Sequence, residues 1–182
     1  MPEPLPLETE RLVLEPFDAD RDWSSFVADI VLDPDVTAAW TDFREPGLSD
    51  ADRERLAAAE FLPWFAEGRE IGLVVWTLRD RSGDFVGISG LLISGPPAGR
   101  GEPEYGAMLA SRWHGQGLAT EAGHAILADG WSRLALARII TVLDSADPRP
   151  RRLVDKLGFR FDEVVSDERG RPHVRFVIDR PA

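Results

Sequence analysis

The stretch Arg112-Trp113-His114-Gly115-Gln116-Gly117-Leu118-Ala119-Thr120-Glu121-Ala122 constrains this chain more than any other. A Gly-x-Gly turn follows an apolar run, Ala107 to Ala110, and opens directly into a helical pattern. Leu118, Ala122, Ala125, Ile126 and Trp131 recur at helical spacing, which predicts a helix from about Gly117 to Arg133. A glycine turn feeding a helix N-terminus leaves several backbone N–H groups without intrahelical partners. Those donors and the positive end of the helix dipole, roughly half an elementary charge, make an anion site. Glycine lets a bound group approach the main chain closely and lets φ turn positive. Spacing alone leaves a second possibility, a tight turn and helix cap with no ligand. It is neither of the commoner phosphate motifs: no Lys-Ser/Thr follows the glycines, and no third glycine stands at dinucleotide spacing.

The rest of the chain alternates strand and helix signals. Arg11 to Phe17 reads as the first strand, with Leu12 and Leu14 inward. The acidic cluster after Asp18 starts a short helix whose face is Trp23, Phe26, Val27 and Ile30, and Asp33-Pro34 ends it. Leu48 to Leu62 reads as a second helix, capped by Ser49 in a capping-box pattern with Asp52. Trp40, Phe43, Arg44, Trp64 and Phe65 lie between and after these helices. Ile71 to Leu78 and Phe85 to Ile93 are apolar strands around a hairpin-type turn. A Pro- and Gly-rich loop, 94–103, leads to a strand from Glu104 to Ala110. Beyond the long helix, Ala137 to Leu143 is a buried strand, and Asp147-Pro148 reads as a helix start that Gly158 stops. Strands from Phe159 to Val165 and from His173 to Ile178 follow, joined by a polar turn around Glu168 to Arg171. This order predicts one α+β domain over residues 1–182.

Composition narrows the function. A chain of 182 residues is long enough for one domain with a sizeable core. No apolar run approaches 18 residues and no basic-then-apolar leader is present, so a soluble, cytoplasmic protein with no membrane partner is expected. With no cysteine there is no disulfide, thiolate metal site or cysteine nucleophile. The net charge of −11 and the lack of a basic patch argue against nucleic acid. That charge favours a cationic acceptor such as an amine, although an acidic surface also simply confers solubility.

Glu104-Tyr105-Gly106-Ala107-Met108-Leu109, followed by Trp113 to Ala122, resembles motif A of the GNAT N-acetyltransferases. More narrowly it is similar to the RimJ/RimL-type subgroup, which acetylates protein N-termini and small amines. Leu7 to Leu14 is similar to that subgroup's opening strand, Phe85 to Leu91 to its third strand, and Lys156-Leu157-Gly158-Phe159 to its late helix-to-strand turn. The resemblance implies a GNAT-like fold: a mixed, mostly antiparallel central sheet with a splayed strand pair and helices on both faces. It implies transfer of acetyl from acetyl-coenzyme A to a primary amine by direct attack in a ternary complex, without a metal.

The site residues follow from the same resemblance. Coenzyme contacts are expected from Met108, Leu109, Arg112, His114, Gly115, Gln116, Gly117, Leu118, Ala119, Thr120 and Asp147, with the pyrophosphate on the turn from Gly115 to Thr120. Arg112, Arg151 and Arg152 are candidate counter-charges or plain surface arginines. Trp40, Phe43, Arg44, Trp64 and Phe65 fall where the family builds one wall of the acceptor site. Glu104 falls where the subgroup often carries a glutamate that deprotonates the amine, a role that requires burial to raise its pKa. Tyr105 alternates to the opposite face, and His173 is the second candidate base. Where the family usually carries an asparagine and a serine, this chain has Asp147 and Pro150. Asp147 brings a charge near coenzyme phosphates, and Pro150 has no proton for the departing thiolate. Those departures keep a second function open, a weakly active or inactive acyl-coenzyme A-binding sensor. The sequence leaves open the length of the acyl group and a homodimer paired through C-terminal strand edges.

Overall fold

The structure is a computed structural model that describes residues 4–37, 47–95, 101–166 and 170–181. Its sheet follows the order β1 (Leu7–Glu8), β2 (Leu12–Pro16), β3 (Val75–Asp80), β4 (Phe85–Ile93), β5 (Pro103–Leu109), β6 (Arg138–Asp144), β8 (Pro172–Asp179), β7 (Arg160–Ser166). All neighbours are antiparallel except β5 and β6, which run parallel and meet in register only at Glu104 and Ile140. Beyond that point the two strands part. The α+β class and the mixed, mostly antiparallel sheet with one splayed strand pair expected above are what the structure shows.

Helices cover both faces. On one, α1 (Ala19–Phe26), extended by a π-helical turn Val27–Val31, and α2 (Asp50–Glu70) bury Phe17, Phe26, Phe61 and Ile88. Phe17 meets Phe65 edge-on at 5.2 Å, and Phe26 meets Phe61 edge-on at 5.3 Å. On the other, α3 (Leu118–Ser132) and α4 (Arg151–Lys156) pack Leu118, Ala122, Ile126 and Val154 onto Leu14, Trp76, Leu91, Tyr105 and Ile139. Gly90 is required by close approach: a Cβ there would lie 2.3 Å from the Val74 carbonyl oxygen, and Leu91 N–H donates to that oxygen at 2.8 Å.

Asp18 caps α1 through its side chain, and Ser49 and Asp52 form the expected capping box on α2. Three boundaries differ from the sequence reading. The second helix continues past Pro63 to Glu70, because Phe61 and Phe65 anchor both sides of the proline to the aromatic core and Trp64 Nε1 donates to Ile93 O at 2.7 Å. That packing outweighs the ladder bond a helical proline removes. The helix's closing turn then absorbs Ile71 and Gly72, so β3 starts at Val75. Asp147 does not start the next helix. Its side chain accepts the Arg149 N–H at 3.0 Å, and α4 begins later, behind Pro150. Trp40, Phe43 and Arg44, part of the 94–103 loop and part of the turn before Arg171 lie outside the described residues.

Candidate active site

A cleft of about 960 Å³ opens where β5 and β6 part, bounded by the Gly115–Gly117 turn, the β6–α4 connection and the aromatic residues of α2. Its size is at the upper end for ligand sites. Gly115 and Gly117 both have positive φ, 75° and 81°, and Gly117 is the left-handed N-cap of α3 with no side chain capping it. The first intrahelical bond runs from Glu121 N–H to Gly117 O at 3.1 Å, so the N–H groups of Leu118, Ala119 and Thr120 precede the helical ladder. Gly115, Gly117, Leu118, Ala119 and Thr120 line the cleft. Leu118 contributes backbone there, since its side chain is buried in the core.

The ladder geometry decides which groups of β5 face the gap. Ala110 N–H donates to Val86 O at 3.0 Å, toward β4. Antiparallel alternation then directs the backbone groups of Met108 and Gly106 to β4 and those of Ala107 and Leu109 toward β6, where the strands have separated. His114 Nε2 lies 2.8 Å from Leu109 O and occupies that carbonyl. The Leu109 N–H and the Ala107 groups remain directed into the opening.

Glu104 stands at the single meeting point of β5 and β6 and lines the cleft. Burial pushes its carboxyl up to about 7, against the opposing pull of the Val142 N–H and the Arg175 charge. Arg175 is nearly sealed from solvent, gripped by Glu102 at 2.6 and 2.9 Å and by Asp162 at 2.8 Å. Register places His173 opposite Asp144 and Arg175 opposite Val142, so His173 shares the sheet face of Glu104 and lines the same cleft. Its Nδ1 lies 3.0 Å from Arg171 O. Tyr105, on the opposite face, is buried with its hydroxyl 3.2 Å from Ser89 Oγ, and burial pushes it up to about 12.

The remaining candidates divide. Met108, Leu109, His114, Asp147 and Arg152 line the cleft. Arg112 is directed elsewhere: its guanidinium forks onto Asp29 at 2.8 and 3.0 Å and donates to Phe85 O. Arg151 pairs with Asp155 and lies over the Phe176 ring. The Gln116 side chain folds back onto Arg112 O at 3.1 Å.

Asp147 carries its own counter-ion. Arg149 Nε and Nη2 each hold it at 2.8 Å, which keeps its carboxyl below the usual range, and Arg149 Nη1 reaches across to Asp35 O at 2.8 Å. Nothing in the sequence motifs singles out Arg149; its place two residues after Asp147 is the one local signal for this pair. Trp64, Phe61 and Trp113 form the aromatic wall, and Pro150 lines the cleft with no donor to offer. The open ladder edge, the uncapped helix start and the roomy cleft between them fit an elongated acyl-coenzyme A.

The family profile described as "Acetyltransferase (GNAT) domain" matches residues 11–160. The chain is 26% identical over 161 residues, 87% of each protein, to an uncharacterized protein, YkkB, of Bacillus subtilis (strain 168). Its fold is similar to an acetyltransferase from Agrobacterium tumefaciens (TM-score 0.75, 17% identity, 99% and 97% of the two chains). It is also similar to spermidine N-acetyltransferase from Vibrio cholerae, solved with CoA and spermine (TM-score 0.66, 18% identity, 92% and 95%). With that profile spanning most of the sequence, the chain belongs to the GNAT acetyltransferases, enzymes that move an acetyl group from acetyl-coenzyme A to an amine.

Proposed function

We propose that this cleft joins acetyl-coenzyme A and a primary amine in one ternary complex, with Glu104 as the base. Acetyl-coenzyme A supplies the activated acyl group. The N–H groups of Leu118 to Thr120 would hold its pyrophosphate, and the open edge of β5 at Ala107 and Leu109 would hold its pantetheine arm. A backbone N–H aimed at the carbonyl oxygen of the acyl group stabilises negative charge as it develops there. Arg149 offsets Asp147, so the chain's departure from asparagine at that position leaves no bare charge in the cleft.

The observation that carries the reading is Glu104 at the parting of β5 and β6, with a carboxyl held at about 7. Such a group is matched to taking a proton near neutral pH. An α-amino group near 7.7–8.0 needs little help to lose its proton, whereas a lysine near 10.4 needs about 3.5 kcal/mol more. A base of this strength therefore suits a protein N-terminus or a weakly basic small amine, the acceptors of the RimJ/RimL-type subgroup.

Thiol release from acetyl-coenzyme A, followed across N-terminal peptides, polyamines and amino-sugars, tests this. The chain has no cysteine, so a thiol reagent sees no protein background. Release with one amine class, lost in Glu104→Gln with coenzyme affinity retained, is expected. Full turnover by Glu104→Gln would remove Glu104 from the mechanism.

A further inference from the structure

One carboxylate fastens the lead into β2 to the anion turn. Glu121, in the first turn of α3, accepts from Thr9 Oγ1 at 2.6 Å, from the Arg11 N–H at 2.8 Å and from Arg11 Nε at 2.7 Å. Arg11 Nη2 lies 2.7 Å from the same carboxylate, and Arg11 Nη1 donates to Gln116 O at 2.9 Å. A Cβ built on Gly117 would lie 3.7 Å from Arg11 Nη2. A segment 110 positions away in the chain thus grips the turn on both sides of Gly117.

The arrangement resolves an electrostatic conflict. A carboxylate in the first turn favours its own helix but repels any second anion at the same N-terminus. Burial alone would raise the Glu121 carboxyl; the Thr9 hydroxyl and the Arg11 donors outweigh it and keep the group below its ordinary range. It is therefore charged, and the Arg11 cation beside it cancels that charge.

We propose that Arg11 is a positioning residue for coenzyme binding, neutralising Glu121 and pinning the Gln116 carbonyl so that the turn presents its N–H groups to an anion. The proposal rests on the reading of this turn as the coenzyme's pyrophosphate site. A purely structural tie would weaken whenever either partner is removed. Charge compensation instead makes the two partners unequal: losing Arg11 harms anion binding, and losing Glu121 does not.

Calorimetric titration with coenzyme A of wild type, Arg11→Gln, Glu121→Gln and the double variant separates these cases. Arg11→Gln is expected to bind about tenfold more weakly, one charge-assisted contact in scale, and the double variant to recover most of that loss. Glu121→Gln alone is expected to bind at least as tightly as wild type, and it decides the matter even where Arg11→Gln loses its thermal transition. In turnover, the Arg11→Gln loss is expected in KM for acetyl-coenzyme A rather than in kcat. A double variant no better than Arg11→Gln, or a Glu121→Gln weaker than wild type, overturns the proposal. Wild type with no affinity for coenzyme A would overturn the site reading, and the clamp's role with it.

Discussion

Replacing Glu104 by glutamine should stabilise the protein while disabling it, and the stabilisation should depend on pH in one direction. The Glu104 carboxyl is held at about 7 in the fold because burial disfavours its charged form, against an ordinary value of 4.5. Below 4.5 the group is protonated in both folded and unfolded chains and burial costs nothing extra. As pH rises from 4.5 to about 7 the unfolded chain ionises first, so wild-type stability falls across that window and levels off above it. At about 1.4 kcal/mol per pH unit the interval amounts to about 3 kcal/mol, nearer 2 for a half-buried group that solvent partly reaches. Glutamine keeps an oxygen for the Val142 N–H and never ionises. Urea unfolding of both proteins at several pH values between 4.5 and 8.5 is the assay. The variant is expected to gain about 2–3 kcal/mol above pH 7.5, with the gain shrinking toward pH 4.5. Its turnover should fall by about 10²–10⁴. A stability difference that stays flat across this range would refute the burial argument, and with it the reason Glu104 can act as a base at neutral pH.

Asp22 gives the opposite sign. Fully buried, it pays for desolvation but is held down to about 2 by Arg21, Thr77, the Asp18 N–H and Arg79. Its contribution is present above its ordinary 3.8 and is lost as pH falls through 2; Asp22→Asn should cost about 3 kcal/mol at pH 7, measured by chemical unfolding. Gly90→Ala should destabilise by about 3 kcal/mol or more, because the added Cβ meets the β3 backbone rather than a movable side chain; calorimetric melting would show it. Pro150→Ser should raise the single-turnover rate, since it places a hydroxyl on the cleft where the chain now has no proton to give. A lower rate in a folded Pro150→Ser would show that the proline itself is needed.

The local chemistry of this protein was legible along the chain. The Gly-x-Gly turn and helical apolar spacing located α3 to within a residue at each end, because caps and periodicity act over a few positions. The Ser49–Asp52 box and the Phe85–Ile93 strand were equally local. Alternation put Glu104 and Tyr105 on opposite faces, and it put His173 on the face that register later joined to Glu104. What misled was local preference opposed by distant packing. Pro63 reads as a stop, yet the aromatic core carries α2 through it, and Asp147-Pro148 reads as a helix start, yet Arg149 claims the carboxylate. Other features had no local trace. Arg11 and Glu121 look like separate surface charges until the sheet brings β2 beside α3. The pKa of Glu104 depends on burial that only the assembled sheet creates. Short-range capping and periodicity therefore determined which elements form and where a glycine turn opens a helix with uncapped N–H groups. The folded sheet alone decided which charges are paired, which are buried, and so which carboxylate is fit to take a proton.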